Sequence, residues 1–294
     1  MKVSGFTFVK NAAKYDYPVL ESVASILPVV DEMIVSVGDS EDSTLQLIES
    51  IPSDKIKIFH STWDMRLRAG GQILAVETDK AMAHVSTDSD WLIYLQADEV
   101  IHERYLPAII EAMEKYTNDP GVEGLLLKYI HFYGSYKYVA DGRTWYAKEI
   151  RIVKNNRGVR SYRDAQGFRI EDRKLRVKEI DACVYHYGYV KNPVFMKTKS
   201  VEIGKYWRDD AEQQKFQAEF DSKGVAFDYA EIDSLDMFRG THPAVMTSRV
   251  DAENWNFNHD IKKKKFKNTK QKVLYYLQEK FGWRPFEYRN YKKV

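Results

Sequence analysis

The sequence predicts an α/β protein. A mostly parallel sheet carries helices on both faces, and a mixed α+β half and a basic C-terminal helix follow it. Two observations predict this. Apolar strand-like runs alternate with helical periodicity from Val3 to Tyr116, joined by short connections. The run Ser89–Val100 then starts as an apolar, aromatic strand and ends abruptly in Gln96, Asp98 and Glu99. An open α/β sheet holds its ligands outside the carboxyl ends of its strands, so this edge marks a candidate site.

The elements follow in order. Val3–Val9 reads as a first strand and Lys10–Tyr17 as a polar loop. Pro18 opens a helix whose apolar residues are Leu20, Val23, Ala24 and Leu27, and Pro28 stops it. Met33–Val37 is a second strand, and Asp42 or Ser43 caps the next helix. Lys55–Phe59 is a third strand, a helix spans Gln72–Val85, and Trp91–Leu95 is a fourth strand before a helix over Tyr105–Tyr116. The second half is less regular. Gly124–Ile130 and Glu149–Lys154 are strands, with a turn at Tyr133–Tyr136. Residues 195–250 read as helical. In the tail, Asn268 and Gln271 have the spacing of a capping box.

Composition bounds the class. The 294 residues are 44% hydrophobic with six Trp, enough for a substantial core, and 30% charged, as in a soluble protein. Cys183 is the single cysteine, so no intrachain disulfide forms, which fits a reducing compartment. The N-terminus lacks a signal-peptide pattern, and no apolar run approaches the roughly 18–20 residues that span a bilayer. These features predict a cytoplasmic protein. Net charge is +2 but unevenly spread. Residues 261–294 hold twelve Lys or Arg and two Asp or Glu, which leaves the body acidic. A basic tail of this kind meets an anionic surface, such as the inner face of a membrane, or docks on the body with its lysines in water. Nothing points to nucleic acid.

If the strand that begins at Trp91 stays extended, the side chains of Gln96 and Asp98 point the same way. Such a pair suits a sugar hydroxyl and a hard cation. The segment Leu95-Gln96-Ala97-Asp98-Glu99 resembles the Asp-x-Asp motif of nucleotide-sugar-dependent glycosyltransferases of family 2, which have the GT-A fold. The likeness covers the first strands and helices, a third to a half of the chain. One departure matters: the motif's first Asp is Gln96, which hydrogen-bonds a ribose but brings no charge.

The resemblance implies a domain plan and a site. Residues 1–190 form the GT-A core, with the nucleotide-sugar part in about 1–130. Residues 191–260 form a helical acceptor-side extension, and 261–294 an amphipathic tail. The donor, a UDP- or GDP-sugar, contacts Val9, Asp39, Arg66, Arg68, Gln96 and Asp98. Asp39 follows the second strand, although a capping turn accounts for Asp42–Thr44 beside it. Arg66 and Arg68 precede Gly70-Gly71, where backbone can approach a diphosphate. Asp98 and His186 hold a divalent cation, Mn²⁺ or Mg²⁺. His186 lies in Tyr185-His186-Tyr187-Gly188, similar to the family's closing His-Tyr-Gly segment; the other histidines, His131 among them, have no comparable context. A catalytic base is expected either at Asp164, which we favour, or at Glu171-Asp172, which can equally pair with Arg169, Arg173 and Lys174. The implied activity is inverting glycosyl transfer to a saccharide or lipid-linked acceptor in surface polysaccharide or glycoconjugate synthesis. A sugar-phosphate nucleotidyltransferase is an alternative, but Lys10–Ala13 lacks the glycine its phosphate loop needs. A non-catalytic module that docks through the tail is a third.

Overall fold

The structure, a computed structural model, describes residues 1–156, 158–222 and 224–294. Strand β1 (Val3–Val9) is buried along its whole length. Phe6 and Phe8 enter the core on one face, Val3 and Val9 on the other. This two-sided burial is why its sequence reads as a nearly unbroken apolar run. Helix α1 (Val19–Ile26) leads to β2 (Glu32–Gly38), α2 (Thr44–Glu49) to β3 (Ile56–Ser61), and α3 (Gln72–Met82) to β4 (Trp91–Tyr94). These four strands run parallel in the order β3-β2-β1-β4. Helix α3 stops at Met82, three residues before the expected end.

After β4 the chain turns rather than continuing extended. The amide of Glu99 donates to the Gln96 carbonyl at 3.0 Å, and the short strand β5 (Glu99–Ile101) begins there. The prediction that Gln96 and Asp98 share one face of an extended segment is therefore corrected: they occupy a turn. Helix α4 (Leu106–Tyr116) packs beside α1 on one face of the sheet, while α3 covers the other.

The second half mixes directions. Strand β6 (Gly124–Tyr133) turns at Gly134, where φ is +73°, into β7 (Ser135–Ala140). Strand β8 (Lys148–Lys154) inserts antiparallel between β4 and β6. Then come β9 (Val159–Ser161), β10 (Phe168–Ile170) and the seventeen-residue β11 (Arg173–Tyr189). Strand β11 runs parallel to β6, and its distal half is flanked antiparallel by β5. Residues 191–260 are less helical than expected: α5 (Pro193–Gly204), α6 (Asp210–Ser222) and α7 (Thr247–Asp251) are interrupted by β12 (Leu235–Met237), which joins β7.

The tail docks on the body. In α8 (Thr269–Phe281) the Asn268 side chain caps the Gln271 amide at 2.9 Å, and Gly282 ends the helix at φ +63°. Tyr275 is buried and donates to Asp141 Oδ2 at 2.6 Å. Strand β13 (Tyr291–Lys293) then pairs with β11, so the last residues are part of the sheet. Val273, Tyr276, Phe281 and Trp283 face outward beside Lys270, Lys272 and Lys280. No helix among the described residues is long and apolar enough to cross a membrane.

Strand β8 brings two charged side chains into the interior. Arg151 pairs with Glu99 through two bonds of 2.8 Å, and both side chains are essentially inaccessible. Glu149 is also buried, and burial, reinforced by Glu99 and Asp164, pushes its carboxyl up to about 8 despite the attraction of Arg151.

Two stability predictions follow from β8. Arg151→Met strands the Glu99 charge and is expected to cost about 3–5 kcal/mol in urea unfolding; a loss under about 1 kcal/mol would show that the pair holds nothing. For Glu149, the folded state binds the extra proton between pH 4.5 and about 8. Its contribution is thus complete below pH 4.5 and lost as pH rises through 8, at up to about 1.4 kcal/mol per pH unit. The stability of Glu149→Gln relative to wild type should climb across that window, and a flat difference contradicts the assignment.

Candidate functional site

A cavity of about 630 Å³ opens at the carboxyl ends of β1 and β4. Val9, Lys10, Gln96, Asp98 and His186 line its floor, and Tyr206, Trp207 and Arg208, which follow α5, line its wall. Four of the expected residues are thus brought together: Val9, Gln96, Asp98 and His186.

Asp98 sits in the turn between β4 and β5. The Glu99 side chain fixes that turn: its Oε2 accepts from the Gln96 amide at 3.1 Å and its Oε1 from the Tyr129 hydroxyl at 2.9 Å. From the other side the Tyr187 amide donates to the Asp98 carbonyl at 2.8 Å. The Asp98 carboxylate is left facing Lys199 Nζ at 3.3 Å and His186 Nε2 at 3.8 Å. Burial alone would raise its pKa, but Lys199, His186 and Lys191 outweigh burial and hold it below the ordinary value. Burial lowers Lys199 and His186 in turn, with Asp98 opposing both shifts. Lys191 is lowered to about 7 by burial and by Lys199.

His131 decides which nitrogen of His186 faces the acid. His131 Nε2 lies 2.8 Å from the Tyr146 carbonyl, which can only accept, so Nε2 carries the proton. Burial, then the neighbouring His186, lowers the His131 pKa to about 3, so the ring is neutral and its Nδ1 accepts. The 3.0 Å contact between the two Nδ1 atoms therefore makes His186 Nδ1 the donor. His186 Nε2 is left with a lone pair aimed at the Asp98 side of the cavity. β6 and β11 place His131 in register with His186 across 55 residues, which no local pattern in the sequence reveals.

This pair fits a divalent cation. Asp98 Oδ2 and His186 Nε2 each lie 2.7 Å from the point where a Cβ on Gly188 would sit, so the missing side chain leaves room between two acceptors. No cluster of three or more His, Cys, Asp or Glu side chains suited to a metal occurs among the described residues. A cation held here would take Asp98 and His186 as its protein ligands and oxygens from a bound substrate for the rest. A mixed imidazole–carboxylate pair suits a transition ion such as Mn²⁺ better than Mg²⁺, which prefers oxygen.

The remaining expectations meet different outcomes. Asp39 is half-exposed beside the cavity and bonded to Lys10 Nζ at 2.7 Å; Lys10 lines the cavity and Asp39 does not. Arg66 is turned to solvent and paired with Asp64, and Arg68 pairs with Asp210 of α6. Neither arginine lines the cavity, so that assignment is corrected. Arg208 is the arginine that lines the cavity: it lies over the Phe216 ring, and its buried Nη1 has no hydrogen-bond partner among the described residues. Glu171 and Asp172, with φ of +47° and +64°, form the two-residue turn joining β10 to β11, a hairpin role. Of the basic partners considered for them, Arg173 pairs with Glu123.

Asp164 belongs to a second cavity, of about 500 Å³, which Glu149, Trp145 and the tail also line. Its Oδ1 accepts from Gln166 Nε2 at 2.7 Å. Its Cβ and the Trp207 indole nitrogen both crowd Gly71, each 2.6 Å from where a Cβ there would sit. Gly71 has φ +75°, so glycine is needed for its backbone as well as its space. Asp164 therefore abuts the wall of the first cavity.

Among curated proteins none matches the chain. Among solved structures, S. aureus TarS is 16% identical over 75% of this chain and 43% of that one, with a TM-score of 0.38. TarS 1–349 in complex with UDP-GlcNAc is 15% identical over 75% and 71%, TM-score 0.39. Glucosyl-3-phosphoglycerate synthase from Mycobacterium tuberculosis, in complex with Mn²⁺, UDP and glucosyl-3-phosphoglycerate, is 17% identical over 45% of each chain, TM-score 0.30. The chain thus spans less than half the length of TarS. The model of the family described as Glycosyl transferase family 2 matches residues 6–178, more than half of the sequence, and the chain belongs to that family.

Proposed function

We propose that the chain is an inverting glycosyltransferase that takes a sugar from a UDP- or GDP-sugar and passes it to a saccharide or lipid-linked acceptor in surface polysaccharide or glycoconjugate synthesis. The observation that carries the reading is the Asp98–His186 pair at the floor of the cavity, with Lys199 beside it and Arg208 on the cavity wall. In this reading Val9 and Asp39, with Lys10, lie along the nucleoside. Gln96 bonds a ribose hydroxyl. Lys199 and the Arg208 guanidinium face the diphosphate, a role for which guanidinium is well suited. Asp98 and His186 would hold a divalent cation, which would supply Lewis-acid stabilisation of the charge on the departing diphosphate. The acceptor oxygen bonds to the anomeric carbon as the bond to the diphosphate oxygen breaks, and Asp164 takes the acceptor's proton.

Support for peripheral membrane association comes from the exposed Val273, Tyr276, Phe281 and Trp283 beside three lysines of the basic tail.

With saturating UDP or GDP and Mn²⁺, thermal unfolding should shift upward, since ligand at a hundredfold over Kd stabilises by about 2.7 kcal/mol. Asp98→Asn should lower donor turnover by about 10²-fold or more. Silence from both nucleotides, with and without Mn²⁺, would sink the reading, as would an unimpaired Asp98→Asn. For the membrane, sedimentation with phosphatidylglycerol vesicles but not phosphatidylcholine vesicles is expected, weakened by salt and by Trp283→Ser. Equal behaviour towards the two lipids counts against it.

A further inference from the structure

Helix α5 turns a lysine inward where its spacing calls for an apolar residue. Met196, Lys199, Ser200 and Ile203 line the first cavity, at the i, i+3, i+4 and i+7 positions of one helical face. Lys199 is 6% exposed. A lysine is seldom buried to this extent unless its charge is answered. Its Nζ donates to the Gly188 carbonyl at 2.7 Å and to Asp98 Oδ2 at 3.3 Å, and it lies over the Tyr17 ring at 4.7 Å.

The Asp98 Oδ2 that meets Lys199 is also the oxygen that, with His186 Nε2, borders the space above Gly188. The position suited to a divalent cation therefore lies beside a positive charge that is already in place. The neighbouring cations are engaged elsewhere. Lys10 pairs with Asp39 at 2.7 Å, Arg208 lies over the Phe216 ring, and Lys191 is bonded to the Asp16 carbonyl. Lys199 is thus the one lysine or arginine ion-paired to Asp98 among the described residues.

The acid side has no reserve, because Asp98 is the one carboxylate among the described residues that line the cavity. An ion of charge +2 would have to share that carboxylate with a buried ammonium. In a poorly polarisable interior, like charges a few ångströms apart repel strongly. Fastening α5 does not by itself require the pair. The Gln213 amide donates to the Val201 carbonyl at 2.8 Å, and the Gly71 amide donates at 3.0 Å to the carbonyl of Tyr206, just past the helix.

We propose that Lys199 is the built-in counter-cation of Asp98 and competes with a divalent ion for its carboxylate, so that Mn²⁺ alone binds weakly. Lys199 acts here through Asp98, as a positioning residue that sets the affinity of the site for metal. The inference rests on the reading that Asp98 and His186 take a divalent cation; it does not need glycosyl transfer.

The test measures Mn²⁺ binding to the full chain, without nucleotide, by loss of the free-ion electron paramagnetic resonance signal. Lys199→Gln retains an N–H donor and removes the charge, and Lys199→Met removes both. At least one of them should bind Mn²⁺ about tenfold more tightly than wild type, or better. Adding Asp98→Asn to that variant should abolish the gain. A purely structural role predicts the opposite sign, because a loosened α5 would weaken the site. If neither variant binds Mn²⁺ more tightly, or if the gain survives Asp98→Asn, the proposal is overturned. A parallel titration with UDP and GDP keeps the readings apart. Tightened Mn²⁺ binding without nucleotide binding removes the donor reading and spares this one. Nucleotide binding with an unchanged Mn²⁺ affinity does the reverse.

Discussion

The site depends on one buried ion pair. Glu99 follows Asp98 directly, and its carboxylate carries the bidentate Arg151 bond, the Tyr129 hydroxyl and the Gln96 amide. These bonds tie the β4–β5 turn to β8 and β6 at once. A turn at a sheet edge is otherwise free to move, and a carboxylate that faces a cavity keeps one position only if the turn that carries it is held. A charged pair in the interior is rarely the cheapest way to gain stability, because desolvation offsets most of its attraction. Its value here is positional: satisfied on all sides, it lets Asp98 be the group that faces the cavity.

The first half of the fold was legible because parallel strands buried on both faces write themselves as apolar runs. Val3–Val9 and Trp91–Tyr94 appear in the sequence almost as they do in the structure. The site was legible where chemistry sits at a strand end, as at Asp98, or beside a glycine that must be small, as at His186. It was not legible where register decides. His131 faces His186 only because β6 and β11 pair in one register, and nothing near His131 announces this. The arginines fail for a related reason. Arg66 and Arg68 precede a glycine pair, yet Asp64 beside it holds the first outside and Asp210 of α6 pairs with the second, whereas Arg208 lines the cavity. Spacing reports that a guanidinium is near and does not report its direction. The turn at Gln96–Glu99 was missed because a side chain 52 residues from Glu99, Arg151, helps hold it.

Around Asp98 the charges balance in a way that favours an anionic guest. One carboxylate is answered by Lys199, Lys191 and, when protonated, His186. Burial weakens the hold of both lysines on their protons, and a diphosphate entering the cavity would reverse that trend by offering new negative charge. Gln96 adds no charge to this balance, which leaves Asp98 as the one carboxylate among the residues described as lining the cavity.

The family match ends at residue 178, within β11, and half of the site lies beyond it. Asp98 and Asp164 fall inside the matched segment; His186, Gly188, Lys199 and Arg208 fall outside. The acid is therefore supplied by one part of the chain and its electrostatic setting by another. The tail extends the argument to the second cavity, where α8 and residues 284–288 form a wall and β13 anchors them in the sheet. Asp98, on the matched core, is thus enclosed by elements that lie beyond the matched segment. Substitutions in the tail should then act on the second cavity far more than on the first, because only the second has the tail as its wall.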